Sequence, residues 1–373
     1  MNNTLVASLL IAVLMSLSAC QTANAPAKQS PREQLGTIAL GSCLRQWSPQ
    51  PVWQGVLATS PDAFLFLGDN VYTDVGPYRQ QPQPQRIDQA YRDLAMNQSF
   101  QQFRAALAAA GTDVLATWDD HDYGVNDGGA DFPYQQASRR AFAAFFDLDA
   151  SDIGHRPAGA AARGIYYSRI KTIADLQVQF LMLDTRSFRT ALRRGEAQQC
   201  PPTGLLANRD TGATILGEAQ WRWLAEALRQ PADVRIIASS IQVLATEHCF
   251  EKWANFPLER QRLLDLIADT GAHGVVLVSG DRHLAEISRL DRGLPYPLYE
   301  LTTSGLNSAQ PSTSPAADEV NSLRLEGGNV LQDNFGTIQL AQRAGEFILR
   351  LQIRDVTGAL VQEQEVLLRD LQP

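Results

Sequence analysis

The sequence predicts an α/β fold in which short buried strands, expected to be parallel, alternate with helices. Two largely apolar runs, residues 62–67 and 275–278, are typical in length and composition of strands covered on both faces. Segments with helical spacing lie between such runs, and residues 216–229 place Trp221 and Leu224 on one face. With 373 residues and 45% hydrophobic content, the chain can bury a large core.

The charge of the chain excludes one broad class of partner. Its formal net charge is -8 and its isoelectric point is about 5.2. Proteins that bind nucleic acid broadly carry a basic surface, so we expect no nucleic-acid-binding surface here. An acidic chain can still bind an anionic substrate, because a bound cation dominates the local field. The length allows one large domain or two smaller ones.

The N-terminal segment is expected to lie outside the folded domain. Residues 5–17 are apolar but too short to span a bilayer comfortably, and they run into Leu-Ser-Ala-Cys. This ending resembles a bacterial lipobox, which implies a lipoprotein-type signal peptide over residues 1–19 and a lipid on Cys20. Residues 20–34 are polar and lack aromatic side chains, so they predict a flexible tether. The domain would then cover residues 35–373.

The lipobox-like ending also predicts where the protein is located. Gln21 stands in place of the aspartate associated with inner-membrane retention. The protein is therefore expected to be exported and anchored by its lipid to the outer membrane, on the periplasmic or surface face. Residues 1–4 contain no Lys or Arg, so an ordinary signal peptide with a chance cysteine remains an alternative.

The cysteine content is consistent with export. If Cys20 carries lipid, then Cys43, Cys200 and Cys249 remain. Cys200 and Cys249 could form a disulfide in an oxidising compartment. Cys43 would then be a free thiol, either a ligand or a buried structural cysteine.

Three predicted strands in the first part of the chain each end in polar residues. They are residues 37–40, 62–67 and 113–117. The candidate ligands that follow them are Cys43, Asp69, Asn70, Tyr72, Asp120 and His121. The acids after the third strand would repel one another unless a cation or hydrogen bonds compensate. The flanking Trp118 and Tyr123 argue against a fully solvated acidic turn.

Helices are expected between these strands. Residues 51–59 predict a short helix, and residues 86–110 predict two helical pieces that break around residues 97–99. Gly111 is the residue type that commonly ends a helix, so the second piece is expected to end there. Phenylalanines at helical spacing in residues 138–146 indicate core packing.

The second part of the chain predicts further strands, helices and one uncertain basic loop. Strands are expected at 164–168, 176–183, 234–238, 298–301, 334–340, 346–354 and 361–368, and helices at 216–229 and 258–269. The pair 334–340 and 346–354 is expected to form a hairpin. Arg189, Arg193 and Arg194 would either bind an anion or form a solvated loop.

The valine-rich strand 275–278 ends in Ser-Gly-Asp-Arg-His, which adds two candidate ligands. Asp281 and His283 are two residues apart, so in an extended segment they share a face. If the four polar-ended strands are parallel neighbours in one sheet, all their ends meet at one edge.

The ligand types predict a metal centre. Thiolate, phenolate and imidazole suit a trivalent or borderline ion, whereas carboxylates and an amide suit calcium or magnesium. There are more ligands than one ion needs, so two adjacent ions are expected. Such a pair can clamp the attacking and leaving oxygens of a phosphoryl displacement.

Four ordered motifs resemble those of the alkaline phosphatase D family. They are GSC at 41–43, LGDNVY at 67–72, WDDHD at 118–122 and GDRH at 280–283. The resemblance implies a four-layer α/β/β/α sandwich of the metallophosphoesterase type. It also implies Fe³⁺ and Ca²⁺ as cofactors, with other divalent metals as alternatives.

The resemblance carries roles onto individual residues. Cys43, Tyr72 and His283 match iron ligands, and Asp69 would bridge the ions. Asp281 and Asp120 would hold the calcium side, together with Asn70 or Asn126. His121 would be the general acid, and Asp120 beside it completes the catalytic pair.

These roles predict a monomeric catalytic domain that hydrolyses small-molecule or lipid phosphate esters with a metal-activated hydroxide. A phosphodiesterase or phospholipase-D-like enzyme with the same site is an alternative. Two alternatives come from other classes: a thiol-dependent hydrolase that uses Cys43, and a non-catalytic surface lipoprotein that binds metal or a partner.

Overall fold

The computed structural model describes residues 33–81, 83–149, 153, 164–314 and 318–373. The predicted signal peptide, Cys20 and nearly all of the predicted tether lie outside these residues. The first strand begins at Glu33, two residues before the expected start of the domain, because Glu33 pairs with Gln342. Within the described ranges, no helix has the length and apolar character needed to cross a membrane.

The described elements alternate along the chain as the α/β prediction requires. The strands are β1 (Glu33–Gly41), β2 (Ala63–Leu67), β3 (Asp113–Thr117), β4 (Tyr167–Ile173), β5 (Leu176–Met182), β6 (Arg193–Arg194), β7 (Leu205–Leu206), β8 (Val234–Ala238), β9 (Val275–Ser279), β10 (Ala285–Leu290), β11 (Leu298–Thr303), β12 (Asn334–Arg343), β13 (Glu346–Asp355) and β14 (Leu360–Leu367). The α-helices are α1 (Val52–Ala58), α2 (Gln85–Met96), α3 (Gln98–Ala110), α4 (Asp120–Tyr123), α5 (Gln135–Phe145), α6 (Gly217–Leu228) and α7 (Pro257–Asp269).

Two six-stranded sheets form the centre of the domain. The first has the order β14-β13-β12-β1-β2-β3, and the second has the order β10-β11-β9-β8-β5-β4. Strands β1, β2 and β3 are parallel, as are β5, β8, β9 and β11. The remaining strands complete the sheets in antiparallel pairs, including the predicted β12–β13 hairpin.

The expectation that one sheet carries all four polar strand ends is wrong. Cys43, Asp69 and Asp120 follow strands of the first sheet, whereas Asp281 follows β9 of the second. The two sheets meet near these ends, where the Ser42 hydroxyl donates to the carbonyl of Thr303 at 3.0 Å. The apolar runs 62–67 and 275–278 both form buried parallel strands, so their composition could not tell which of the two sheets each strand belongs to.

Helices pack against the sheets and complete the layers. In the first half, Trp53 of α1 stacks on Phe103 of α3 with ring centroids 4.2 Å apart, and Phe64 of β2 contacts both rings. On the second sheet, Gln179 of β5 donates to a carbonyl of α6 at Ala227, 2.8 Å away. The predicted four-layer sandwich of the metallophosphoesterase type is therefore confirmed.

Some local predictions were confirmed and others were wrong. The helix break occurs at Asn97, whose side chain accepts from the backbone N–H of Phe100 and caps α3. The strand expected at 164–168 instead spans Tyr167–Ile173, because it forms a hairpin with β5. Cys200 and Cys249 form a disulfide with Cα atoms 5.2 Å apart, and Cys43 is a buried free thiol.

Candidate metal centre

The candidate ligands lie in sharp turns directly after the parallel strands. Cys43, Asp69, Asp281 and His283 have φ values of 62°, 49°, 66° and 56°, in the left-handed region that side chains usually avoid. Gly68 makes one of these turns fit, since a Cβ there would lie 2.6 Å from the Cβ of Asp119. Backbone strain of this kind concentrates at functional sites, where the surrounding structure holds it.

One group of ligands combines sulfur, oxygen and nitrogen. Potential ligand atoms of Cys43, Asp69 and His283 all lie within 4.8 Å of one another. The hydroxyl of Tyr72 lies 2.9 Å from Nε2 of His283. The structure thus brings together all three residues that the sequence assigned to iron, along with the predicted bridging aspartate.

A second group consists of carboxylates. Ligand atoms of Asp119, Asp120 and Asp281 lie within 4.8 Å of one another, and so do those of Asp69, Asp120 and His121. Asp69 and Asp120 therefore connect the two groups. Asp119, which the sequence prediction did not select, joins the predicted calcium side.

Three buried oxygens in this region lack hydrogen-bond partners among the described residues. They are Oδ1 of Asn70, Oδ2 of Asp119 and Oδ1 of Asp120. The other terminal atom of each side chain is engaged by the protein: Asn70 Nδ2 donates to the Thr117 carbonyl, and Asp120 Oδ2 accepts from the Asp127 N–H at 2.6 Å. Buried oxygens left free in this way fit hard cations.

The helix α4 and Asp122 orient this oxygen set. Asp122 accepts from the N–H of Asn70 and from the N–H of Asp119, each at 2.8 Å. The reciprocal capping arrangement between Asp119 and Asp122 starts the helix at Asp120. The last acid of WDDHD thus fixes the residues around it and is itself fully buried.

The electrostatics of the site favour bound cations. Burial raises the pKa of Asp69 and Asp281 well above the usual range, and neighbouring acids raise each further. Burial also acts to raise the pKa of Asp120, but the positive charges of His121 and Arg186 outweigh it and hold this pKa at about 2. Burial lowers the pKa of His283 to about 3, so its imidazole is neutral and able to bind a metal.

His121 has a partner that the sequence prediction missed. Its Nδ1 lies 2.6 Å from Oδ1 of Asp74, whose second oxygen accepts from the N–H of Asn126. Burial would lower the pKa of His121, but the carboxylates of Asp120 and Asp74 outweigh it and raise this pKa to about 9. Asp74 follows Tyr72 by two residues, so its place in the same loop was the available signal.

An arginine cluster lies beside the carboxylates and was also missed. It consists of Arg186, Arg189, Asp119 and Glu251, all buried. Arg186 pairs with Asp119 and, at 2.7 Å, with Glu251, and Arg189 Nε lies 2.9 Å from the second oxygen of Glu251. The expectation that Arg189 binds an anion or lies in a solvated loop is therefore wrong, because a buried carboxylate neutralises it.

Ser304 was another omission from the predicted site. Its hydroxyl lies 3.0 Å from the Cys43 sulfur and accepts from the N–H of His283 at 2.7 Å. It follows β11, so it links a strand end of the second sheet to the Cys43 turn.

The structure gives little support to Cys43 as a nucleophile. Burial raises the pKa of its thiol to about 11, against hydrogen bonds from Ser304 and Ser42. A nucleophilic cysteine needs a lowered pKa and a base. The nearby imidazole, His283, directs Nε2 towards Tyr72 instead.

The fold is of the metallophosphoesterase type, and groups of candidate metal ligands lie together within it. A family model described as PhoD-like phosphatase matches residues 38–359. The chain therefore belongs to the PhoD-like phosphatase family.

Individual relatives agree with this assignment. Alkaline phosphatase D of Bacillus subtilis (strain 168) is 24% identical over 285 residues, which cover 68% of this chain and 47% of that protein. The chain thus spans about half the length of this relative. The solved structure of PhoD matches with a TM-score of 0.60 at 20% identity, over 92% of this chain and 70% of the other.

A more distant structure shares the fold. GAP50, the anchor in the inner membrane complex of Plasmodium, matches with a TM-score of 0.53 over 90% of each chain. Sequence identity is 11%, so this likeness concerns the fold alone.

Proposed function

We propose that the protein is a phosphate ester hydrolase with a binuclear metal site. The observation that carries this proposal is the set of three buried oxygens without partners, on Asn70, Asp119 and Asp120, next to the Cys43–Asp69–His283 group. Membership of a phosphatase family supports the same reaction. A closed structural site would leave fewer oxygens free.

The donor chemistry supports Fe³⁺ in one group and Ca²⁺ in the other. Cys43, Tyr72 and His283 would hold iron, Asp120 and Asp281 would hold calcium with Asn70, and Asp69 would bridge the two. When bound, such ions lower the pKa of a coordinated water and neutralise charge that develops on phosphorus. Other divalent metals with the same oxygen preference would suit the second position.

The residues of the chain supply proton transfer to the leaving group. Protonated His121 would donate to the leaving oxygen from Nε2, because Asp74 holds Nδ1 at 2.6 Å. Asp120 beside it keeps the imidazolium charged.

Metal analysis combined with turnover tests this function. The chain from Gln21 onward should contain about one iron per chain with calcium beside it, and should hydrolyse p-nitrophenyl phosphate. Chelation should abolish hydrolysis, and iron with calcium should restore it. Absence of bound metal after purification with both ions would contradict the proposal and favour the non-catalytic or thiol alternatives.

A phosphodiesterase, including a phospholipase-D-like enzyme, is the second candidate. A cavity of about 590 Å³ borders the Asp281–His283 turn and is lined by Arg282, Phe250 and Gln310, among others. The N–H of Gln310 donates to the His283 carbonyl at 2.7 Å, so the cavity wall adjoins a predicted ligand. This volume suits a second ester arm. Comparing kcat/KM for p-nitrophenyl phosphate and bis(p-nitrophenyl) phosphate separates the two functions.

For location, we propose a lipid-anchored protein of the outer membrane, supported by the Leu-Ser-Ala-Cys sequence at residues 17–20. A variant with Cys20→Ser should leave the membrane fraction when cells are fractionated. Unchanged membrane association of that variant would contradict the anchor.

A further inference from the structure

The loop after Cys43 carries two side chains near the ring of Tyr72 that the proposed mechanism does not use. They are Arg45 and Trp47, both exposed to solvent. Trp47 is 40% exposed, whereas the other five tryptophans of the chain are buried at 8% or less. An exposed, rigid aromatic side chain next to a reaction centre is a natural contact for a ligand.

Trp47 is held in place from several sides. Its ring lies 6.2 Å from that of Tyr72 and 5.7 Å from that of Tyr78, measured between centroids. Gly76 lies against it with a φ of +57°, and a Cβ there would lie 2.7 Å from the indole. The exposed part of the indole is therefore fixed before any ligand arrives, which lowers the entropic cost of binding.

The loop itself is fastened to the metal centre through Gln46. Its side chain accepts from the N–H of Tyr72 and donates to the carbonyl of Tyr72, each at 2.9 Å. Asn307 clamps the backbone of Arg45 in a similar way, with contacts of 2.7 and 3.0 Å. Arg45 and Trp47 thus keep a fixed position relative to Tyr72.

The Arg45 guanidinium is available to an anion. No carboxylate in the described part of the chain forms an ion pair with it, and its central carbon lies 6.0 Å from the centroid of the Tyr72 ring. By contrast, Arg282 on the other side of the centre is buried and paired with Glu319.

The position of His121 relates these groups to the substrate. Its ring lies 4.4 Å from that of Tyr72, which also contacts Trp47. The alcohol that receives a proton from His121 must leave on this side of the phosphorus. A substituent on that alcohol would therefore meet the indole.

We propose that Arg45 and Trp47 form a recognition site for the ester, in which Arg45 binds a phosphoryl oxygen and Trp47 stacks on a planar ring of the alcohol. The preferred substrates would then be phosphate esters whose alcohol carries a planar ring close to phosphorus. This inference rests on the proposed phosphate ester hydrolase function and adds its substrate class.

Binding of two phosphonates tests the inference without requiring turnover. Phenylphosphonate carries a planar ring, whereas cyclohexylphosphonate has similar bulk and no aromatic face. Isothermal titration calorimetry on the full chain loaded with iron and calcium should show tighter binding of the phenyl compound by about two- to twelvefold, the range of one aromatic pair. Equal affinities would overturn the role of Trp47.

Variants assign the two contributions. Trp47→Ala should remove the preference for the phenyl compound, and Trp47→Phe should keep part of it. Arg45→Gln should weaken both phosphonates by about tenfold or more and leave their ratio unchanged, since the charge-assisted contact is to the shared group. A Trp47→Ala variant with the ratio of the unmodified protein, or an Arg45→Gln variant with unchanged affinities, would overturn the corresponding contact.

Controls separate this inference from the proposed function. Leu360→Ala changes a 50% exposed side chain on β14, three strands away from β1, and should alter neither phosphonate. Each variant should retain its iron and calcium. Failure of the unmodified protein to hydrolyse p-nitrophenyl phosphate would contradict the proposed function, whereas loss of ring preference with normal hydrolysis would contradict only the recognition site.

Discussion

Two adjacent clusters of charge are balanced in opposite ways. In the arginine cluster, two guanidinium groups face the carboxylates of Asp119 and Glu251, so the protein itself neutralises the buried charge. At the metal centre, Asp69, Asp120 and Asp281 converge with no Lys or Arg of the described residues paired to them. The protein neutralises most of the charge of the first cluster, whereas the second has the charge and geometry to bind cations.

Asp119 shows how the two clusters are joined. Its Oδ1 accepts from Arg186 and from the Ser240 hydroxyl, while its Oδ2 has no partner among the described residues. The carboxylate of Asp119 thus belongs to both clusters, through a different oxygen in each. The arginine cluster orients the metal centre, so changes in the two should affect different properties of the protein.

The largest effect is expected from removing a ligand of the unbalanced cluster. Asp281→Asn should lower kcat/KM for p-nitrophenyl phosphate by about ten-thousandfold or more, because the proposed ions would supply several kcal/mol of transition-state stabilisation. Metal content, measured by mass spectrometry, should fall in the same variant. Asp269→Asn, an exposed acid at the end of α7, is the matched control and should change neither quantity. Full activity in Asp281→Asn would remove this residue from the site.

The balanced cluster should respond in stability. Arg186→Met leaves the buried carboxylate of Asp119 without a cation and Glu251 with Arg189 alone, so it should lower the free energy of unfolding by about 3–5 kcal/mol. Urea denaturation measures this change. Arg369→Met, which breaks only exposed pairs with Glu346 and Asp370, should cost only about 0.2–1 kcal/mol. A similar loss of unfolding free energy in both variants would show that the buried pairs of Arg186 stabilise the fold no more than exposed pairs do.

The sequence pointed to most residues of the candidate metal centre but not to the arginine cluster, and the reason is physical. Ligands such as Cys43, Asp69 and Asp281 directly follow buried strands, and a strand end has a local signature. Arg186 and Glu251 are 65 residues apart and become partners only through packing of loops. No local pattern distinguishes a buried, paired arginine from a solvated one, which is why Arg189 was misassigned.

The sheet assignment had a similar limit. Strands β1, β2, β3 and β9 could each be predicted from apolar composition, and β2 and β9 are buried along their whole length. Which strands pair is decided by long-range register. The four-layer arrangement came from the ordered motifs and their resemblance to a family, while periodicity alone suggested one sheet.

Removal of metal ions should lower the thermal stability that depends on the candidate metal centre and leave the contribution of the arginine cluster unchanged. Iron and calcium at about a hundred times their dissociation constants should stabilise the fold by about 2.7 kcal/mol for each site, which corresponds to a rise in melting temperature of about 4 °C for each site. Differential scanning calorimetry with and without chelator measures this rise. Arg186→Met should start from a lower melting temperature and still show the full rise, whereas Asp281→Asn should lose the part of the rise that calcium would supply. A rise of equal size in Asp281→Asn would place the stabilising ion elsewhere.

The smallest effect is expected at Asp74, which belongs to neither cluster but orients His121. Asp74→Asn keeps the shape of the side chain and removes its charge, so His121 should lose part of its tendency to hold a proton. Turnover of phenyl phosphate, whose phenolate is a poor leaving group, should fall by about tenfold. Turnover of p-nitrophenyl phosphate should fall less, because its better leaving group needs less protonation. Metal content should not change, since no ligand is altered. His121→Ala should show the same leaving-group dependence more strongly. Equal slowing of both substrates in the two variants would mean that His121 binds the phosphoryl group rather than protonating the leaving oxygen, and would assign Asp74 to the same binding role.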